Sequence, residues 1–250
     1  MKISIITATY NREKTIVRAL KSIKNQTYEN IQVIVIDGAS TDNTITLIKP
    51  ILDKNDILIS EPDDGIYQAL NKGLSYSHGD IVAFLHSDDL YSNENVIKNV
   101  VECFYNHNVD VVYGDISFFK KGDTKKIKRR YKSDNLSKKN LAWGKMPPHP
   151  AIFIKRHIYE EVGNFETNFK IAADYDFLCR LINYPELKSF YLEKNLVHMQ
   201  LGGISTNGFM NTILLNKEVY RAIINNNIYT NIFMLLSKYP SKILQFIKKS

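Results

Sequence analysis

Residues 2–8 alternate polar and apolar side chains and close into the pair Ile5-Ile6, a pattern that predicts a strand. Residues 14–25 change to helical spacing, with Ile16, Ala19, Leu20 and Ile23 on one face. Residues 32–36 (Gln-Val-Ile-Val-Ile) return to the strand pattern and end in Asp37-Gly38-Ala39-Ser40-Thr41-Asp42. There Ser40 or Thr41 is expected to cap a helix running through Ile48. Residues 56–60 form a short third strand, broken by Pro62. Asp63 or Asp64 is expected to cap the next helix, which packs Ile66, Ala69 and Leu70 and stops at Gly73. After the turn signal Gly79-Asp80 comes the uninterrupted run Ile81-Val82-Ala83-Phe84-Leu85, read as a buried strand that ends abruptly in His86-Ser87-Asp88-Asp89. Residues 110–115 add a further strand. Strand and helix thus alternate over 2–114, which predicts a doubly wound, mostly parallel α/β sheet. Further on, 151–154 read as a strand, 171–181 as a helix, 211–226 as a second helix and 231–249 as an amphipathic stretch interrupted at Pro240.

The chain's 250 residues, 44% hydrophobic and 24% charged, suit one large globular α/β domain with a short appendage. Such a chain needs neither disulfide nor structural metal to fold. Cys103 and Cys179 form no C-x-x-C pair and are expected to be buried and reduced, as in a cytosolic protein. The chain starts directly on a strand, so no signal peptide is expected, and no apolar run reaches the roughly 18–20 residues of a membrane span. The net charge of +7 is the unusual bulk feature, pointing to nucleic acid, an anionic membrane surface or phosphorylated ligands. It gathers in 120–139 (Lys125, Lys126, Lys128, Arg129, Arg130) and in a tail with Lys238, Lys242, Lys248 and Lys249.

Candidate chemistry sits at the strand ends. In open α/β sheets, ligands bind beyond the carboxyl ends of the strands, where Asp37, Asp88 and Asp89 are expected. Adjacent carboxylates repel unless a proton or cation lies between them, and hard-oxygen pairs suit Mg²⁺ or Mn²⁺ shared with substrate phosphates. The competing reading of Asp88-Asp89 is a helix cap, and that of Asp37-Gly38 a turn. The loop after the first strand holds no glycine, which argues against a dinucleotide-binding G-x-G-x-x-G turn and against a P-loop. His149, between Pro148 and Pro150, is a candidate for donor phosphate or acceptor contact, although an isolated His is often structural. Asp174 falls in the first turn of its helix, where it reads either as a cap or as a general base. His198 could supply a third metal or phosphate contact, beside a Gly202-Gly203 turn able to fold over a ligand.

Four ordered motifs carry a resemblance: Ile-Thr-Ala-Thr-Tyr-Asn-Arg, Val-Ile-Asp-Gly-Ala-Ser-Thr-Asp, Glu-Pro-Asp-Asp-Gly-Ile-Tyr-Gln-Ala-Leu-Asn-Lys-Gly and His-Ser-Asp-Asp. Together, over the chain to about residue 205, the sequence resembles the family-two glycosyltransferases of the GT-A fold, in the branch that builds bacterial exopolysaccharide, capsule and lipopolysaccharide. The resemblance implies an inverting, metal-dependent hexosyl- or N-acetylhexosaminyltransferase using Mn²⁺ or Mg²⁺ and a nucleotide-sugar donor, with UDP as the expected nucleotide. It assigns Thr7, Thr9 and Tyr10 to the base, Asp37 to uracil or ribose, and Asp63 and Asp64 to the ribose and donor sugar. Asp89 falls to the metal and Asp88 to the ribose or metal. Asp174 matches the base of the family's Glu-Asp pair, with Ala173 in the place of the Glu. The Q-x-x-R-W signature of processive synthases is absent, which implies single addition.

The expected organisation is a catalytic domain over 1–210, with a nucleotide half at 1–114 and an acceptor half at 115–210, followed by a helical extension at 211–250. The basic amphipathic segment 231–249 is consistent with docking on an anionic membrane, and equally with a helix that covers the core or forms a dimer seam. The acceptor is expected to be a saccharide or lipid-linked, and the location cytoplasmic, on the inner face of the membrane if the tail docks there. A sugar-phosphate nucleotidyltransferase shares a doubly wound core but needs a Gly-rich first loop. A nucleic-acid-binding module would leave the strand-end acids facing a polyanion, so no nucleic-acid partner is expected.

Overall fold

The computed structural model describes residues 1–133, 135–202 and 209–237. Its first half alternates β1 (Ile3–Thr9), α1 (Ile16–Lys24), β2 (Ile31–Asp37), α2 (Thr44–Ile48), β3 (Ile57–Ser60), α3 (Ile66–Ser75) and β4 (Ile81–Phe84). These strands lie in the order β3-β2-β1-β4, every pair parallel, with Thr9 beside Asp37 in the β1–β2 register. The near-continuous Ile/Val composition of β1 and β2 follows from burial on both faces. Strand periodicity sends alternate side chains to opposite layers. Ile5, Val33 and Val35 pack with Ile16, Leu20 and Ile23 of α1, whereas Ile6, Ile34 and Ile36 pack with Ala69 and Leu70 of α3.

The second half adds β5 (Leu90–Tyr91), α4 (Val96–His107), β6 (Val111–Lys120), β7 (Asp123–Tyr131), α5 (Lys138–Ala142), β8 (Ile152–Lys155), α6 (Arg156–Val162), α7 (Ala173–Leu181), β9 (Ser189–Gln200), α8 (Phe209–Asn225) and α9 (Ile232–Leu236). The sheet continues β4-β8-β6-β9-β5, with β7 hanging on β6. Here β8 runs antiparallel to both neighbours, and β6 and β9 are parallel. The mostly parallel sheet expected from the alternation is thus complete in the first half and mixed beyond β4. The basic cluster of 120–139 is in large part a strand, β7, paired antiparallel with β6.

Several local expectations are corrected. The α2 helix begins after Asn43 rather than after Ser40 or Thr41, and its first N–H, from Thr44, goes to the Asp42 carboxylate at 2.9 Å. The α3 helix begins after Gly65 without a side-chain cap, and it runs past Gly73 to Ser75. Gly73 is there for close approach: a Cβ on it would lie 2.3 Å from Ile6 Cγ2. Cys103 and Cys179 are free and buried. The α8 helix is part of the core, with Val219, Ala222 and Ile223 buried in the layer that holds α3 and α7, and Leu235 of α9 joins them. Among the described residues no helix is long and apolar enough to cross a membrane. The basic tail from Lys238 and the turn at Gly203 lie outside the described residues.

Candidate active site

The parallel strands end along one edge, and three loops meet there. Thr7 lies within β1, as expected, and Thr9, expected to open the loop, is the last residue of the strand; both hydroxyls are shut off from solvent and unpaired. Tyr10 follows them into solvent. The glycine-free loop turns at Asn11, whose φ of 50° is left-handed, and its neighbour loop turns at Ala39, φ 59°. Asn11 laces the two together: its N–H donates to Ser40 Oγ at 2.8 Å and its side-chain oxygen accepts from the Thr41 N–H at 2.9 Å. Non-glycine residues in this conformation cost energy and persist only where their surroundings hold them, as these bonds do.

Asp37 is fully buried at the end of β2. Its carboxylate accepts from the Ser40 N–H at 2.8 Å, from Ser40 Oγ, and from Ser60 Oγ of β3 at 2.7 Å. The residue therefore organises its own loop. Gly38 lets the β3–α3 loop approach, since a Cβ there would stand 2.8 Å from Asp63 Oδ2 and 3.5 Å from the Tyr10 ring. Tyr10, Gly38 and Asp63 thus lie side by side. Asp63 is half-buried and accepts from the Gly65 N–H, whereas Asp64 is exposed and bonds Gln68.

Past β4, the Asp88-Asp89 pair splits in environment. Asp88 is half-buried, while Asp89 is only 2% exposed. Asp89 Oδ1 accepts the Gln200 N–H at 3.1 Å, and Oδ2 is buried with no donor. Burial first, and the Asp88 charge second, hold its pKa well above the ordinary carboxylate value, against the pull of Gln200 and Arg18. Arg18 of α1 braces this corner, donating to the Asp88 carbonyl at 2.8 Å and to Gln200 Oε1 at 2.7 Å. Its guanidinium lies 5.0 Å from the Phe119 ring centre.

A carboxylate oxygen left without a donor, beside a second carboxylate, fits a divalent cation. His198 does not complete such a set. It stands on β9 opposite Leu90, and its Nδ1 is engaged with Ser117 Oγ at 2.7 Å. Among the described residues no three His, Cys, Asp or Glu side chains gather into a metal-binding group. Two carboxylates suffice for an ion that is otherwise bound by substrate phosphates and water.

An aromatic chain leads from this corner to Asp174. The rings of His86 and His149 are 6.0 Å apart, and His149 stacks on Phe84 and meets Phe165 edge-on. Phe165 lies 5.9 Å from Tyr67 of α3, whose hydroxyl donates to Asp174 Oδ1 at 3.3 Å and to the Ile171 carbonyl at 2.5 Å. His149 Nε2 is buried without a partner. Burial, and then His86, drive the ring's pKa down to about 3, so it is neutral at working pH. Burial likewise lowers His86, against the attraction of Asp88.

Asp174 is the second residue of α7, its Oδ1 accepting the Tyr175 N–H at 2.8 Å. Burial raises its pKa to about 6; the Tyr175 N–H and the Tyr67 hydroxyl oppose this, and Glu218 adds to it. A half-buried carboxylate tuned toward neutrality, with one oxygen held and the other without a donor among the described residues, suits proton abstraction. Asp176, the other acid of this turn, is committed: it accepts from Arg180 Nε at 2.9 Å and from Asn226 Nδ2 at 3.1 Å. The residues that sequence reading missed, Arg18, Tyr67, Gln200 and Glu218, act across long chain separations. Arg18, Tyr67 and Glu218 lie in recognisable helices, at ordinary positions.

The fold and this edge of strand-end acids define a glycosyltransferase of the GT-A kind. The chain belongs to glycosyl transferase family 2, whose model matches residues 4–163. It is 27% identical over 228 residues to a PGL/p-HBAD biosynthesis glycosyltransferase of Mycobacterium tuberculosis, covering 88% of this chain and 83% of the relative. It is 32% identical over 194 residues to an uncharacterized glycosyltransferase of the same species, covering 71% and 68%. In structure it is similar to Staphylococcus aureus TarS 1–349 in complex with UDP-GlcNAc, with TM-score 0.69, 21% identity, and 92% of this chain and 68% of that one covered. The chain spans 41% of the longer TarS chain. It also resembles the mannosyltransferase PcManGT of Pyrobaculum calidifontis in complex with GDP-Man and Mn²⁺, with TM-score 0.65, 20% identity and coverage of 90% and 63%.

Proposed function

We propose that this glycosyltransferase moves one hexosyl or N-acetylhexosaminyl unit, with inversion, from a nucleotide-diphosphate sugar to a saccharide or lipid-linked acceptor in bacterial surface polysaccharide or glycolipid synthesis. Asp174 carries this reading: it is a half-buried carboxylate of raised pKa, joined by packed rings to the strand-end acids. The acceptor oxygen attacks the anomeric carbon while Asp174 takes its proton. The bond from that carbon to the diphosphate breaks with its electron pair leaving on the phosphate oxygen, and one displacement inverts the centre. Thr7, Thr9, Tyr10, Asp37, Asp63 and Asp64 would hold the nucleotide and donor sugar, with His149 near the phosphate or acceptor. Asp89, with Asp88, would hold Mn²⁺ or Mg²⁺, whose charge when bound offsets that of the leaving diphosphate. UDP is the favoured nucleotide because TarS, similar in fold over most of this chain, binds UDP-GlcNAc.

In this reading residues 1–114 bind the donor, 115–210 face the acceptor, and 211–250 form the extension. Segment 209–250 contains one acid, Glu218, which is buried, against Lys217, Arg221 and the four tail lysines. Ile213, Tyr220, Ile224, Tyr229 and Phe233 are exposed in the same segment. Apolar and cationic groups without exposed acids suit an anionic lipid surface, where each Lys contributes about 1 kcal/mol.

The deciding experiment is a thermal-shift panel of UDP, GDP, CDP, TDP and ATP with and without Mn²⁺, repeated on Asp174→Asn. One diphosphate, expected to be UDP, should stabilise the wild type and Asp174→Asn alike, and only with Mn²⁺. At about a hundred times its Kd such a ligand adds about 2.7 kcal/mol. No shift with any nucleotide would overturn the donor assignment.

A further inference from the structure

The loop that leads into α7 is gripped from outside its own neighbourhood. The α7 helix has no side-chain N-cap of its own, because Ala172 occupies the cap position. The backbone donors of the turn that leads into it, up to the cap residue, are met by Glu218, from the middle of α8. One carboxylate oxygen accepts the Lys170 N–H at 2.9 Å, and the other accepts the N–H groups of Ile171 at 2.9 Å and Ala172 at 3.0 Å. Glu218 is buried, so these bonds are made out of water's reach. One turn further along α8, Arg221 donates to the Asn168 carbonyl at 3.0 Å and lays its guanidinium 3.9 Å over the Phe169 ring. From the opposite side Tyr67 of α3 takes the Ile171 carbonyl. Residues 168–172 are thereby held at every step, and Asp174 follows two residues later.

We propose that Glu218 is the positioning residue of the transfer site: its carboxylate collects three successive backbone N–H groups and fixes the turn that aims Asp174. The inference rests on the reading of Asp174 as general base. Only a carboxylate serves here. A glutamine would present an amide NH₂ to at least one N–H, leaving a buried donor unmatched. The carboxylate that holds this turn comes from α8, 46 residues beyond Ala172. A displacement of the base by about 1 Å is enough to cost about 100-fold in rate.

The groups facing Asp174 are Tyr67 from α3, Glu218 from α8 and the Tyr175 N–H of its own helix. Removing the Glu218 charge therefore makes ionisation of Asp174 easier and moves its titration to lower pH in a variant that keeps its fold. The test is a ¹³C-carboxyl NMR titration of the full chain, with Asp174→Asn assigning the resonance, in wild type and Glu218→Gln. UDP release from UDP-N-acetylglucosamine is measured on the same variants. The Asp174 titration is expected near 6 in the wild type and at lower pH in Glu218→Gln. UDP release should fall about 100-fold in kcat, with the donor KM within about twofold.

An unmoved titration in folded Glu218→Gln overturns the proposal. If that variant does not fold, Arg221→Ala loosens the same loop without unpairing a buried charge. It should speed hydrogen exchange at the Ala172 and Tyr175 amides, and unchanged exchange overturns the proposal too. Asp174→Asn releasing UDP at the wild-type rate would remove the base reading alone, because the titration still decides the role of Glu218.

Discussion

At the scale of single residues the site is a set of carboxylates sorted by environment. Asp37 and Asp176 have their oxygens filled by the chain's own donors, whereas Asp89 and Asp174 each retain one without a donor. For Asp174 the consequence is a pH limb. Its pKa is raised to about 6 and the base proposed here must be ionised, so under that proposal kcat is expected to fall as pH drops through about 6. A pH–rate profile checks this, and Asp174→Asn should lose about 10²–10⁴-fold in kcat while still binding nucleotide. Asp89 carries a cost in the metal-free protein. Its folded pKa lies above the unfolded value, so the ionised form destabilises the fold at high pH and the penalty disappears as pH falls. Asp89→Asn is therefore expected to raise the metal-free Tm at pH 8. A gain of about 1 kcal/mol would appear as about 2–4 °C, and it should shrink toward pH 5, while any stabilisation by Mn²⁺ with UDP is lost. Calorimetry at the two pH values reads both effects.

At the scale of elements, the site depends on how closely helices sit on the sheet. The contact between α3 and β1 is made through Gly73, and a Cβ there would have to displace Ile6, which is fully buried. Gly73→Ala is expected to lose about 1–3 kcal/mol by overpacking, despite alanine's better helix propensity. Urea unfolding would measure it, and a stabilised variant would contradict this packing. The helix matters to function because Tyr67, on its first turn, touches both Asp174 and the loop before it. Tyr67→Phe is expected to leave the fold intact and to raise the Asp174 pKa, since a hydrogen bond to the ionised form is lost. The acid limb of activity should then move to higher pH.

On the scale of the whole molecule, a parallel half is extended by a mixed half that brings β9, α7 and α8 back to the strand ends. Arg18 on α1 and Gln200 on β9 meet over the Asp88-Asp89 pair, tying the two halves at the site. The charge of +7 is unevenly placed, with segment 209–250 basic and free of exposed acids. The full chain is expected to co-sediment with phosphatidylglycerol vesicles and not with phosphatidylcholine vesicles, and to release as salt rises. Binding equal on both lipids would remove the electrostatic part of that proposal.

Much of this was legible in the linear pattern. The strand β4 is a continuous apolar run, and β1 and β2 are rich in Ile and Val, because both their faces are buried; such patterns need no tertiary information to be seen. Acids placed directly after them, at Asp37 and Asp88-Asp89, announce a ligand edge in any parallel sheet. Asp174 was visible because an acid in the first turn of an apolar helix stands out. What the pattern could not carry was pairing between distant polar residues. The basic stretch around Lys128 looks like a charged surface segment, and only its ladder with β6 makes it a strand. Gly73 resembles a helix stop, and only the nearness of Ile6 makes it a contact. His198 had the right chemistry for a metal, but its strand turns it to Ser117. Glu218 reads as an ordinary polar position of an amphipathic helix, and its meaning arises when α8 lies across the start of α7. Local burial and chain reversal leave marks every few residues, so sequence alone determined the parallel first half of the sheet, the order of its elements and the strand-end acids. The partners of each carboxylate depend on contacts made across the folded chain, so only the tertiary structure decided which acids are committed and which are left for chemistry.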